Sequence, residues 1–163
     1  MTMERDPKDI CRVMGMMADL ELKVSEFYRE CGDLWPQDKE FWSSLEKEEI
    51  SHSGSLQKMA ELFSARPERF ATNRPYNIAS LSLALTGVQS LLLRLKKGQI
   101  HKENILFAAR DLEQSLLENK PWEVLKTGDG EYTAILRDIA AQTLAHRRRL
   151  ENRIAELKRP PAG

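Results

Sequence analysis

Glu49 and His52 stand three residues apart in the stretch FWSSLEKEEISHSGSLQKMAELF, residues 41–63. At helical spacing Leu45, Glu49, His52, Leu56, Met59 and Phe63 follow one another in steps of four or three, which places all six on one face. That face is otherwise apolar, so it points inward. A carboxylate or an imidazole buried there without a partner costs several kcal/mol, roughly. A divalent cation is one partner able to compensate both, and an inward Glu-x-x-His pair is an arrangement that holds one inside a helical bundle. Other helices must then supply further ligands.

The elements that could do so can be read along the chain. Asp6-Pro7 is a helix start, with proline tolerated in the first turn. From it Ile10, Met14, Met17, Glu21, Val24, Tyr28 and Cys31 trace a stripe with a glutamate near its centre. This first helix spans about residues 7–31 and is expected to end at Gly32 and Trp35-Pro36. The second, about 37–65, carries Glu49 and His52 and stops at Arg66-Pro67. Residues 66–101 are too long for a hairpin and long enough to cross a bundle from end to end. Pro67 and Pro75 punctuate this crossover, and helix is expected over 78–97, with a break near Gly87 and an end at Gly98. The third main helix, about 102–119, has Leu106, Ala109, Glu113 and Leu116 inward. Lys120-Pro121 interrupts it, Trp122 to Leu125 adds a turn, and the run from Thr127 to Gly130 is a loop. The last helix, about 131–158, presents Ile135, Ile139, Gln142, His146, Leu150, Ile154 and Leu157 on its buried side. No stretch reads as a strand, so the expected class is all-α.

The two halves echo one another. Asp19-Leu20-Glu21 recurs as Asp111-Leu112-Glu113, and each is followed about one helix later by an inward histidine, His52 or His146. Two helix pairs packed together would bring Glu21, Glu49, His52, Glu113 and His146 to one layer of the core. Tyr28, two turns beyond Glu21, reads as a packed aromatic with a polar tip. The methionines Met14, Met16 and Met17 read as core filling, and His101, off the inward line, as surface.

Composition narrows the classes. A chain of 163 residues with 41% hydrophobic and 31% charged residues suits a single helical domain. Twenty-five Lys and Arg balance twenty-five Asp and Glu, so no global field draws it to nucleic acid or an anionic membrane. Arg147, Arg148, Arg149 and Arg153 read as a solvated helix face. No apolar run is expected to approach the roughly 20 residues of a membrane span, and the charged start MTMERDPKDI lacks the apolar core of a secretion signal. A cytoplasmic protein is expected, with neither nucleic acid nor membrane as partner. Cys11 and Cys31 share the first helix, about 30 Å apart, well past the roughly 7 Å reach of a disulfide. They read as buried small hydrophobes. No Cys-x-x-Cys pair is present, which excludes a thiolate-bound zinc or iron module.

Asp19-Leu20-Glu21 with Phe27-Tyr28, Glu48-Glu49-Ile50-Ser51-His52, and Ala109 to Glu113 together resemble the rubrerythrin branch of the ferritin-like superfamily, without its rubredoxin domain. The resemblance covers nearly the whole chain, long crossover included. It implies an antiparallel four-helix bundle and a non-haem di-iron site, with Glu21, Glu49, His52, Glu113 and His146 as ligands. It further implies an oxidoreductase acting on peroxide, or on dioxygen and ferrous iron. Such an enzyme needs an external electron donor; a homodimer is expected. Manganese or zinc are alternatives to iron.

The fourth helix departs from the family pattern, which has a glutamate three residues before its histidine. Here Thr143 stands there, in Gln142-Thr143-Leu144-Ala145-His146. Two divalent cations need nearby negative charge to replace their hydration. Three glutamates leave one positive charge uncompensated, so one metal position is weakened, and the site is expected to hold two ions or, in a degenerate form, one. Glu48 and Gln142 precede the two Glu-x-x-His places and could orient the imidazoles from outside. A second reading is therefore a non-enzymatic bundle with a decayed site, retained for dimerisation or partner binding.

Overall fold

The computed structural model describes residues 6–73, 78–160 and 162. Its class is all-α, with five helices and one short two-stranded ribbon among the described residues. Helix α1 (Pro7–Leu34) starts where the Asp6 side chain accepts a hydrogen bond from the Lys8 amide at 2.9 Å, satisfying one of the free amides of the first turn. All seven residues of its expected stripe are buried. It runs through Gly32 and stops three residues later than expected. The stop is Pro36, whose ring disfavours helical backbone at Trp35.

A single turn of 3₁₀ helix (Pro36–Asp38) reverses the chain into α2 (Lys39–Ala65). Cys11, early in α1, lies against Ser64, late in α2, with Sγ and Oγ 3.2 Å apart, so the two helices run antiparallel. Cys11 is thus half-exposed and polar in its contact, a correction to its reading as a buried hydrophobe, while Cys31 is buried.

After Pro67 the chain forms β1 (Phe70–Thr72), which pairs antiparallel with β2 (Leu125–Thr127), Phe70 opposite Thr127 and Thr72 opposite Leu125. No strand is legible in the sequence, and the reason is length. Three-residue strands show no alternation, and here pairing serves to satisfy the backbone of two connecting segments. Phe70 also packs edge-on against Phe63 and Tyr132, at 5.4 and 5.0 Å between ring centres. The ribbon thereby ties the crossover to the link that precedes the last helix. Pro75 lies outside the described residues.

Helix α3 (Ile78–Lys96) is continuous through Gly87, where a break was expected, and packs on α1. Helical hydrogen bonding on both sides outweighs the modest cost of one interior glycine. Its end is the expected Gly98, with φ of +69°. There the Gly98 amide bonds Leu95 O and the Gln99 amide bonds Arg94 O, a closure that needs left-handed backbone. Only Leu81, Val88, Leu92 and Leu95 of α3 are buried. With no charged residue between Ile78 and Leu93 and a mean hydropathy of 1.5, α3 is long and apolar enough to cross a membrane. This corrects the expectation that no apolar run approaches the length of a span: serines, a threonine and a glycine interrupt the apolar residues of α3 without adding charge.

Helix α4 (Lys102–Asn119) ends at Lys120, whose positive φ of 40° precedes Pro121 and one turn of 3₁₀ helix (Pro121–Glu123). Helix α5 (Gly130–Leu157) is capped by Asp129, whose carboxylate accepts from the Tyr132 amide at 2.9 Å. The Lys158 ammonium sits 5.8 Å from the Phe107 ring, bringing the end of α5 beside the start of α4. On α5, Leu157 is exposed rather than inward, and Thr143 is buried where Gln142, exposed as a residue, was expected. The helical period puts the centre of the buried stripe at 139, 143, 146 and 150. Phe27, Tyr28, Trp42, Leu45, Met59, Ile105, Ile139 and Leu150 are almost fully buried around this layer. Each contributes about 1.5–3 kcal/mol by leaving water.

Candidate metal centre

Glu21 comes from α1, Glu49 and His52 from α2, Glu113 from α4 and His146 from α5, each from the middle of its helix. All five are 0–3% exposed. Mid-helix placement leaves their backbones bonded within the helix, so the side chains alone must find partners.

They meet. His52 Nδ1 is 3.0 Å from Glu49 Oε2, His146 Nδ1 is 2.8 Å from Glu49 Oε1 and 3.4 Å from Glu113 Oε1. The two imidazoles stack at 5.4 Å with 22° between their planes. Two sets of three ligand atoms, each within 4.8 Å of one another, can be drawn: Glu21, Glu49 and His52, and Glu49, Glu113 and His146. Glu49 belongs to both. Despite their closeness, Glu49 Oε1 and His146 Nδ1 are not aligned as a hydrogen bond. Together with Glu21 Oε2 and Glu113 Oε2 they are buried atoms without a hydrogen-bond partner among the described residues. Such orphan lone pairs are rare and costly. Here they converge from separate helices, as cation ligands do. Three carboxylates and two imidazoles with no thiolate form an oxygen and nitrogen donor set suited to iron, manganese or zinc.

The outward ring atoms are also held. His52 Nε2 faces Gln142 Oε1 and His146 Nε2 faces Glu48 Oε2. Gln142 reaches inward although its residue is exposed. Glu48 is held in turn by Arg149, whose Nη1 donates to Glu48 Oε1 at 3.1 Å and whose Nη2 donates to Ser44. These outer acceptors turn both Nδ1 atoms towards the carboxylates. Arg149 and Ser44 were not legible from sequence. Arg149 lies in a basic run taken for a solvated face, yet Arg147 pairs with Glu151, Arg149 with Glu48 and Arg153 with Asp38. Tyr28 does more than pack, because its hydroxyl donates to Glu113 Oε1. Its seven-residue spacing from Glu21 was the available signal. Thr143 is 2% exposed and its hydroxyl donates to Ile139 O at 2.9 Å, one turn back; the oxygen keeps its lone pairs but brings no negative charge to the cluster.

No family model matches this chain, and neither a curated protein nor a solved structure does. What the centre can do must therefore be argued from its chemistry.

Without a cation the cluster has to hold protons. Burial, with the Glu49 and Glu113 charges added, raises Glu21 well above the usual carboxylate range. Burial and Glu49 lift Glu113 to about 7, against the opposing pull of His146. Burial would also raise Glu49, but His146 and His52 outweigh it and hold this carboxyl below its ordinary value. Burial disfavours the imidazolium form of both histidines. Glu113 and Glu49 nevertheless bring His146 up to about 10, and Glu49 raises His52. Protons on His146 and Glu21 thus stand in for positive charge around an ionised Glu49. Cations binding here must displace them.

Glu48→Gln keeps a side-chain oxygen near His146 but weakens the grip of Arg149. We expect metal affinity to fall about 10–100-fold, read by competition with a chromogenic chelator, with helical content unchanged.

Proposed function

We propose that this chain is a rubrerythrin-like member of the ferritin-like superfamily, a four-helix bundle of α1, α2, α4 and α5 with α3 in its long crossover. We further propose that it binds a pair of divalent metal ions, iron first among them, as an oxidoreductase acting on peroxide or dioxygen. The observation that carries this reading is the convergence of orphaned buried ligand atoms from four helices, with Glu49 common to both sets. Glu21 and His52 would complete one position, Glu113 and His146 the other. Iron, when bound, would supply the electrons for cleaving the oxygen–oxygen bond. The chain's own contribution is a water-poor pocket, a carboxylate able to serve both ions, and imidazoles fixed by Glu48 and Gln142. Cys11 and Cys31 lie in one helix and form no redox pair with each other, and the reading calls for an external electron donor to restore the site.

One observation favours the second reading, a bundle whose site has decayed. Thr143 occupies the place of a carboxylate and spends its hydroxyl on its own helix. Metal analysis after anaerobic loading separates the two. The enzyme reading expects about two irons per chain, the second held more weakly. No retention of iron, manganese or zinc would support the decayed bundle. Thr143→Glu is the companion test. It should tighten the weaker position about tenfold or more and speed iron oxidation, while destabilising the metal-free protein by adding a fourth buried acid. Unchanged metal content in this variant would mean that residue 143 does not face the ions.

A further inference from the structure

A second feature lies at the end of the bundle. The turn between α1 and α2, the starts of α2 and α4 and the end of α5 enclose a groove of about 430 Å³, a size that suits a small organic ligand. Trp42, Ile105 and Leu106 are buried at its base, Trp35 and Phe41 are half-buried at its sides, and Leu157 stands exposed at its mouth. Three aromatic rings line the groove, and the half-buried Trp35 leaves ring surface on which a flat ligand can stack.

The charges at the groove say what that ligand need not be. Asp38 takes Lys102 on one oxygen at 3.2 Å and Arg153 on the other at 3.3 Å, and Arg153 also reaches Glu156 at 3.6 Å. The Arg153 guanidinium further covers the Phe41 ring at 4.8 Å. Both cations are matched by acids, and Glu103 adds another acid to the lining. Among the described residues an anion would find no unmatched positive charge here, whereas an uncharged ring needs none.

The groove also leads inward. Trp42, at its base, stacks on Tyr28 with 5.9 Å between ring centres and 25° between planes. The Tyr28 hydroxyl bonds Glu113, a member of the buried acid and imidazole cluster. Two stacked, oxidisable rings thus join an aromatic groove to the centre through one hydrogen bond.

We propose that this groove binds an uncharged planar redox carrier of the quinone or flavin-ring class, and that Trp42 and Tyr28 carry its electrons to the buried cluster. The conduit rests on the metal reading above, whereas binding in the groove does not. The hydroquinone form of the carrier would release two electrons, one at a time, and two protons to water at the open mouth, and would leave as the oxidised ring. Two trivalent ions at the cluster would each accept one electron.

Binding can be tested on metal-free protein. Menadione and lumiflavin, added in separate titrations, should each quench tryptophan fluorescence saturably if the shared flat ring is what is recognised; saturation by one alone assigns the site to that class. Trp35→Leu should weaken binding about tenfold, as should Leu157→Glu, placed on a residue 64% exposed and so harmless to the fold. Quenching by neither probe, or quenching that both variants leave unchanged, overturns the proposal. The conduit is tested with iron-loaded, air-oxidised protein mixed anaerobically with menadiol or dihydrolumiflavin. Tyr28→Phe keeps the ring, loses the link to Glu113 and should slow single-turnover transfer about tenfold with carrier affinity unchanged. Transfer as fast as in the unaltered protein overturns the conduit. Saturable binding by protein that takes up no iron would uphold the groove and overturn the metal reading.

Discussion

Glu49→Gln should abolish both metal positions at once. Its two oxygens face different imidazoles, Oε2 towards His52 and Oε1 towards His146, and it is the residue common to both ligand sets. An amide keeps one oxygen, turns the other into a donor and removes the one carboxylate of the cluster held below its ordinary range. Affinity should fall by more than about 100-fold, beyond the loss of an outer partner. The metal-free protein should suffer too. Raised His146 would face no ionised Glu49, and breaking a buried pair from one side costs about 3–5 kcal/mol. Glu113→Gln is the informative contrast. Glu113 sits near 7, so a neutral amide resembles its protonated form, and its oxygen can still accept from Tyr28. That variant should lose one metal position yet nearly keep metal-free stability at pH 6. Elemental analysis after loading and thermal melts of both variants check the pair. Glu49→Gln protein that still held two metals would remove Glu49 from the centre.

Metal-free protein should become less stable as pH rises from about 5 to about 9. Glu113 holds its proton to about 7 when folded but loses it near 4.5 when unfolded. Folding therefore takes up a proton in this window, and its stability contribution is lost as pH rises through it. The difference for Glu113 is on the order of 3 kcal/mol, and Glu21 acts in the same direction. His146 follows on. Its folded value near 10 exceeds the unfolded 6.5, so its contribution is complete below 6.5 and is lost as pH climbs to about 10. Glu49 has the opposite sign, because its folded value is depressed, but it acts only below about 4.5. Added zinc or ferrous iron should counter this trend, since cations displace these protons more readily as pH rises. Circular dichroism melts across the range, with and without metal, give the comparison. A metal-free midpoint that rose between pH 5 and 8 would mean that the buried acids are not arranged as described.

The helices were legible because their signals are local. Asp6-Pro7, Arg66-Pro67 and Gly98 act within a few residues, and a stripe at 10, 14, 17, 21, 24, 28 and 31 needs only the helical period. The same period marked Glu21, Glu49, His52, Glu113 and His146 as polar residues on apolar faces. Its resolution ends at about one residue, which is why Gln142 reads as buried in the place that Thr143 occupies. On a helix a neighbouring residue is turned by roughly 100°, and the packing of α5 on its partners fixes the rotation.

The ribbon of β1 and β2 had no local signal, because each strand is stabilised by a segment more than fifty residues away. Arg149 and Ser44 belong with it. Nothing in the order of residues says that a guanidinium on the last helix will hold a carboxylate on the second, which in turn holds a histidine beside it. The sequence alone determined, to within about one residue, which face of each helix had to be buried, since periodicity is a property of one helix. Only the tertiary structure decided which of them share Glu49, which face Tyr28 and which are left without a partner. Those relations depend on distances between helices, and separate helices are positioned by the whole core and not by any one stretch of chain.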